Sequence, residues 1–387
     1  MADFSEASQL HDWMLASPAM LDKCRAKGNL LAREYLAKPK EQEEGSTSTT
    51  LPPVEKFACG YARAQKENPD NEDPASMGPQ KDASNHEFLT TDEEEFMVTF
   101  YASKIPFLIG PTAQHAFLRR PHKFPATAAA LFRRFYLSNS VMIHDPKAVM
   151  VAAAFLASKV EDGTARVREL EKGTELMQSP VTQAEILPAE LFLLDGIRFQ
   201  LMCFHSFKPV EALTEDLRTF LKSERGITLV QNKRIASEDL KPLFHSAWGL
   251  LDDVMVSDIP LLFTPGQVGL AAMIVANETV QAKQAQKPEE EEGLPPLDLL
   301  AYVKLRFSEE QGRQMEEKMK DLVPMIKGLK EGKHGCGNHT VDMAKLKAVH
   351  KKLKKCRLWG KKEKKSKKRS AEGGEESKKK KSKKNKD

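Results

Sequence analysis

Long apolar runs, paired cysteines, strand-type alternation and catalytic signatures are all missing from this 387-residue chain, and each absence closes off a class of protein. The longest uninterrupted apolar stretch is Ala148–Ala157, ten residues. A bilayer-spanning helix needs about 20, so no transmembrane helix is expected. The N-terminal MADFSEASQLHDWM has acidic residues where a secretory signal is basic, and it has no apolar segment, which favours a soluble intracellular protein. Five cysteines, Cys24, Cys59, Cys203, Cys336 and Cys356, are scattered and never form a Cys-x-x-Cys pair. That usage fits free thiols in a reducing compartment. The chain has no Gly-rich phosphate loop, Gly-x-Ser-x-Gly, His-Glu-x-x-His or kinase signature, so no catalytic residue and no cofactor site are expected. The nearest approach to a metal site is His334, Cys336 and His339, with His350 and Cys356 downstream. Tetrahedral zinc needs four converging ligands, whereas the glycine loop offers three crowded into six residues, and an ordinary polar loop without metal is the reading.

What is present is charge, unevenly placed. The net charge is +5, but residues 361–387 hold 14 Lys+Arg against 5 Asp+Glu, so this segment carries +9 and the other 360 residues −4. The body is mildly acidic. The clusters KKEKKSKKR (Lys361, Lys362, Lys364, Lys365, Lys367, Lys368, Arg369) and KKKKSKK (378–384) read as a nuclear-import address, with at most weak, salt-sensitive contact to nucleic acid. No aromatic residue is interleaved to stack on bases.

Apolar periodicity predicts an amphipathic N-terminal helix over 5–36. A Pro/Ser/Thr/Glu-rich linker, largely disordered, is expected over 37–87, with only KFACGYARA (56–64) apolar enough to dock. From Asp92 to about Lys330 the pattern is helical throughout, with Pro, Gly and Asn breaking it at helix-sized intervals. Ten helices are predicted: 92–110, 125–139, 145–161, 165–177, 182–197, 207–223, 238–256, 264–282, 297–307 and 309–330. A basic amphipathic helix is predicted over 338–359, with Met343, Leu346, Val349, Leu353 and Cys356 on one side, followed by a disordered tail over 360–387.

The ten helices fall into two sets of five. Asp145-Pro146 and Thr264-Pro265 are both capped helix starts with proline at the first position, and they lie 119 residues apart. The same offset sets Leu131 on Leu250, Phe132 on Leu251, Phe135 on Val254, Val149 on Val268, Ala152 on Ala271 and Ala157 on Ala276. The repeats are taken as 88–204 and 205–330. The middle helix of each, AVMVAAAFLASK and VGLAAMIVANE, is rich in small residues and suits the centre of a bundle.

Two charges stand out. Lys159 ends an otherwise uncharged run, and Glu190 sits among apolar neighbours in ILPAELFLL. A charge on a largely buried helix needs a partner or an exposed end. Either a snorkelling terminus and a water-facing carboxylate, or a surface where a partner protein docks, satisfies that rule.

The run KFPATAAALFRRFYLSNSVMIHDPKAVMVAAAFLASKVED (123–162) resembles the first box of the cyclin family, and the tandem repeat resembles that family's architecture. Within the family RRFYLSNSVM (133–142), DWMLASPAMLDKCRAKGN (12–29), VMVSDIPLLFTPGQVGLAAM (254–273) and LKAVHKKLKKC (346–356) are most similar to the cyclin H type. The resemblance implies an all-α fold of two tandem five-helix cyclin boxes with flanking N- and C-terminal helices. It also implies a regulatory subunit, not an enzyme. Such a subunit binds a cyclin-dependent kinase catalytic subunit and a RING-containing assembly subunit, in the CDK-activating kinase module of the transcription factor IIH core. On the family's motif Lys159 and Glu190 are the kinase-binding pair. A cyclin C-like protein shares FLASKVE, and a factor IIB-like nucleic-acid-binding double repeat is the rival from another class, though it expects basic residues on the repeats themselves. Two departures bear on function. Pro188 lies where the family's fifth helix does not usually carry proline, which raises the expectation that Glu190 sits in a late-starting first turn. The first helix lacks the substrate-docking motif of cell-cycle cyclins.

Overall fold

The computed structural model describes residues 4–37, 54, 88–175, 180–230, 236–285, 295, 297–329 and 342–359. Most of the 37–87 linker with KFACGYARA, the His334–Cys336–His339 loop and the 360–387 tail lie outside the described residues. Among the described residues every regular element is helical, and no helix is long and apolar enough to cross a membrane.

The first repeat is built from α2 (Thr91–Ala102), the short α3 (Ile105–Leu108), α4 (Lys123–Phe135), α5 (Pro146–Val160), α6 (Val167–Gly173) and α7 (Gln183–Gly196). The second comprises α8 (Phe207–Phe220), α9 (Lys241–Val256), α10 (Pro265–Gln284), α11 (Leu299–Arg306) and α12 (Glu309–Gly328). α1 (Pro18–Ala37) and α13 (Met343–Cys356) flank them. The helix predicted over 92–110 is split in two, because Pro106 has no N–H to give and its ring crowds the carbonyl four residues back.

The 119-residue offset survives in three dimensions. α5 and α10 both begin on the proline, at 146 and 265. The Asp145 side chain accepts from the Lys147 N–H at 2.9 Å. Thr264 and Gln267 cap each other reciprocally. Ala152, Ala153 and Ala157 are fully buried, as are their counterparts Ala271, Ala272 and Ala276. α5 packs on α2, α3, α4, α6 and α7, and α10 on α8, α9, α11 and α12. Small side chains on all faces are what let one helix accept so many neighbours.

The repeats meet through the helices that precede α5 and α10, α4 against α9. At one end His122 Nδ1 and Asp252 Oδ1 lie 2.6 Å apart, with the imidazole against Phe207 and Trp248. At the other end is a buried ionic cluster. Arg133, 2% exposed, donates from Nε to the Val256 carbonyl at 2.6 Å and from a terminal nitrogen to Asp258 Oδ1 at 2.6 Å. Arg25 of α1 donates to the same oxygen at 2.7 Å and pairs with Glu95 at 3.2 Å. Burial pushes the Asp258 carboxyl upward, but the two guanidinium groups outweigh it and hold it below the usual range. One carboxylate therefore joins the N-terminal helix and both repeats.

The N-terminal segment is not the single helix predicted over 5–36. A π-helical turn at Gln9–Trp13 ends at Met14, whose backbone is extended, and α1 begins at Pro18. The break follows from Pro18, which disfavours helical geometry in the residue before it. It also frees Leu15 N–H to donate to the Leu261 carbonyl at 2.7 Å. Gln9 bonds both backbone groups of Phe204, and Trp13, 1% exposed, donates its indole N–H to Gln200 at 2.6 Å. This segment thus clasps the connection between the repeats as well as the second repeat.

α13 lays Leu346, Val349, Leu353 and Cys356 against the first repeat, over α2, while Met343, predicted on the same side, is exposed in the first turn. Lys352 bridges to Glu93 at 2.7 Å, and the chain beyond the helix is pinned by Leu358 N–H to the Met142 carbonyl and Trp359 Nε1–H to the Val141 carbonyl, both at 2.9 Å.

Glu94 of α2 is buried and accepts from the Ser140 hydroxyl. Desolvation raises its pKa to about 7, opposed by Ser140, Asn29 and Arg33. Because this value lies above that of the unfolded chain, near 4.5, Glu94 favours the native state fully below about pH 4.5 and loses that contribution as pH rises through about 7. Glu94→Gln keeps an acceptor for Ser140 and removes the titration. The variant is expected to melt several degrees above the parent at pH 8, with the gain vanishing near pH 5. Thermal melts at the two pH values check this.

Candidate functional site

α5 and α7 lie side by side, and their contact brings together the two charges singled out in the sequence. Lys159 is in the last turn of α5, where a cation also suits the negative end of the helix dipole. Its Nζ donates to Glu190 Oε1 at 2.5 Å and lies 3.9 Å from the centre of the Phe155 ring, one turn back on the same helix. Glu190 is largely buried, its side chain 10% exposed, whereas half of the Lys159 side chain is in contact with solvent. The pair is therefore an intrachain ion pair with its basic half turned outward, neither a snorkelling lysine nor a water-facing glutamate. An ammonium group has three N–H bonds, and Glu190 takes one of them.

Pro188 does not displace Glu190. α7 starts at Gln183, with Thr182 at the N-cap and Glu185 returning a bond to the Thr182 N–H at 2.8 Å. Pro188 falls inside the helix, and Glu190 two residues later is about two turns past the start. The proline removes the bond to the Ala184 carbonyl. Both residues are exposed, so water can satisfy that carbonyl and the helix continues.

α7 also carries exposed apolar side chains near Glu190 in the chain. Leu187 and Leu191, three residues before and one after, are 46% and 67% exposed, and in the connection that follows α7, Phe199 and Met202 are 66% and 51% exposed. Large apolar side chains left this open on α7 and in the connection after it are a feature that a protein-docking surface requires. Sequence periodicity did not single out these four. The signal for Leu187 and Leu191 was available, since ILPAELFLL is apolar on every face and a helix at the edge of a bundle cannot bury all of them.

The other clusters suit structure better than chemistry. His144 and His205 are buried with their pKa values lowered to about 4 by desolvation, so both are neutral imidazoles at physiological pH. Thr127 bonds both His205 and Glu161, at 2.7 and 2.6 Å. Among the described residues no group of three His, Cys, Asp or Glu side chains converges as a metal site would.

Comparison with known proteins is consistent with the double repeat. Residues 112–202 match the family described as "Cyclin, N-terminal domain" and residues 205–357 the family described as "Cyclin C-terminal domain". The chain is 28% identical over 279 residues to Cyclin-H1-1 of Arabidopsis thaliana, covering 72% of this chain and 71% of the relative. It is 30% identical over 158 residues to Cyclin-H of Xenopus laevis, covering 40% of this chain and 44% of the relative. Among solved structures, a chain in "Structure of the CAK complex form Chaetomium thermophilum bound to ATP-gamma-S" superimposes with a TM-score of 0.62 at 23% identity, covering 92% of this chain and 90% of that one, a likeness of fold. Two domain matches that abut at the boundary between the repeats, relatives that carry the cyclin name and the helical double-repeat architecture lead to one statement: this chain belongs to the cyclin family.

Proposed function

We propose that the chain is a cyclin H-like regulatory subunit that binds and activates a cyclin-dependent kinase within a CDK-activating kinase and transcription factor IIH module. In that role it supports phosphorylation of kinase activation segments and of the RNA polymerase II C-terminal repeat by a serine/threonine kinase. The observation that carries the reading is the Lys159–Glu190 pair at the α5–α7 contact, with Leu187 and Leu191 exposed on the same helix as Glu190. The cyclin supplies no reacting group. Phosphoryl transfer requires the kinase's own Lys–Glu pair and its metal-binding Asp in place, and both depend on one mobile kinase helix. A rigid face that binds only the inward position of that helix shifts its equilibrium, and moving it from 1:99 to 99:1 takes about 5.5 kcal/mol of differential affinity. Exposed leucines supply the apolar burial, and Lys159 supplies donors that fix the register of the partner.

On this reading a RING-containing assembly subunit and the transcription factor IIH core complete the set of partners, the working compartment is the nucleus, and Lys361–Arg369 with Lys378–Lys384 serve as the import address. Purifying the protein from its host and identifying the kinase that accompanies it tests the proposal. The expected result is a kinase that phosphorylates both activation segments and polymerase repeats. Recovery with a kinase inactive on both substrates overturns it.

A further inference from the structure

The outward face of α13 carries a charge pattern that kinase binding does not use. Between Met343 and Trp359 there are seven cations, Lys345, Lys347, Lys351, Lys352, Lys354, Lys355 and Arg357, and no acid. Packing sorts them. Lys352 is committed to Glu93, and Lys345 lies over the Phe96 ring at 4.7 Å. Lys347, Lys351 and Lys354 are exposed, opposite the buried Leu346–Val349–Leu353 face, and form no ion pair among the described residues. The contrast with α12 is direct: there Arg313 pairs with Glu310, Lys320 with Glu317 and Lys327 with Glu278. Like charges one turn apart weaken a helix by themselves, so α13 holds a repulsive row that a bound polyanion would relieve. The asymmetry extends to the whole chain. Residues 343–387 hold 21 lysines and arginines against five acids, while the first 342 hold 39 against 50.

From this placement we propose that the outward face of α13, centred on Lys347, Lys351 and Lys354, is a docking surface for the phosphate backbone of double-stranded nucleic acid. The three ammonium groups run along about 10 Å of helix, at a rise of about 1.5 Å per residue, against a duplex that carries one charge per about 1.7 Å of axis. The residue between them on the open face is Ala348, too small to hold a rod of charge away. An acidic protein partner fits less well. Lysine is depleted at protein–protein interfaces, and the large apolar side chain exposed on this helix, Met343, stands at its far end. Trp359, beyond the helix, is engaged by its indole N–H and covered by Arg357 at 4.2 Å, so it offers no free face for base stacking. Contact therefore goes to phosphates, without sequence preference. The helix is held against the first repeat by its buried face, the Lys352–Glu93 bridge and the Leu358 and Trp359 bonds, so the row of charges is presented on a fixed support.

The test uses the full chain and a 20-base-pair duplex, with affinity followed by fluorescence anisotropy over a salt series. Lys347→Gln/Lys351→Gln/Lys354→Gln is compared with a control of the same charge change in the tail, Lys378→Gln/Lys379→Gln/Lys380→Gln. Glutamine keeps helix propensity close to that of lysine, and circular dichroism melts confirm that both variants are folded. Losing three phosphate contacts is expected to lower the slope of log K against log salt by about 2.7 in the helix variant, with at least a tenfold weaker Kd at 0.1 M salt, and by less than half of that in the control. An unchanged slope in the helix variant, equal losses in the two variants, or polyglutamate displacing the protein at a lower charge concentration than unlabelled duplex overturns the proposal.

Discussion

Asp258→Ala is expected to be the most destabilising single substitution at the junction of the repeats, lowering the unfolding free energy by about 3–5 kcal/mol. The carboxylate of Asp258 accepts from Arg133 and from Arg25 through the same oxygen, with both guanidinium groups buried. Removing it leaves two cations in a place that water does not reach. Arg133 then keeps the Val256 carbonyl and Arg25 keeps Glu95, neither of which balances two charges. Asp258→Asn retains the acceptor and loses the charge, and its loss is expected to fall between the parent and the alanine variant. The triple replacement Arg25→Met/Arg133→Met/Asp258→Leu is expected to be less destabilised than Asp258→Ala alone, because exchanging a whole buried ion set for apolar groups of similar size often costs little. Urea unfolding of the three variants distinguishes these outcomes. If Asp258→Ala lies within about 1 kcal/mol of the parent, the cluster is not what couples α1 to the two repeats.

The largest effect on function is expected at Lys159 and Glu190. Lys159→Ala/Glu190→Ala should weaken binding of the partner kinase by about 2–5 kcal/mol, the range found when a charged group that pairs across a buried interface is truncated. The same double variant should unfold within about 1 kcal/mol of the parent, since both charges leave together and Lys159 is half in solvent. The exchange Lys159→Glu/Glu190→Lys separates two roles of the pair. It preserves an ion pair between α5 and α7 but turns an acid outward where a base stood. If the pair served the fold alone, the exchanged protein would activate the kinase like the parent. The expected result is loss of activation with the melt retained, read from kinase assays and calorimetry on the same preparation.

Much of the fold was legible before any coordinates. The 119-residue offset predicted that α5 and α10 would begin on equivalent prolines and bury equivalent alanines, and they do. This was readable because capping and apolar spacing are local properties, each set by residues within one or two turns. The predicted elements that broke into separate pieces were those where a proline acted against an apolar pattern. Pro106 splits the first helix of the repeat and Pro18 breaks the N-terminal one, yet Pro188 leaves α7 whole. Sequence alone does not separate these cases, because the outcome depends on whether the orphaned carbonyl faces water.

The candidate site was legible only in part. Lys159 and Glu190 were visible as charges among apolar neighbours, but their 31-residue separation left their pairing to the packing of α5 on α7. Asp258 carried the same signal, a lone acid in VMVSDIPLLF, and its partners Arg133 and Arg25 are 125 and 233 residues away. Local sequence determined the helices, their caps, the repeat and the separation of an acidic body from a basic C-terminal end, because each of these follows from neighbours along the chain. Tertiary structure decided which charges meet, which apolar side chains stay exposed on α7 and which lysines of α13 face outward. The reason is that burial and pairing belong to surfaces brought together from distant parts of the chain, and a charge has no assigned partner until the low-dielectric contact that demands one has formed.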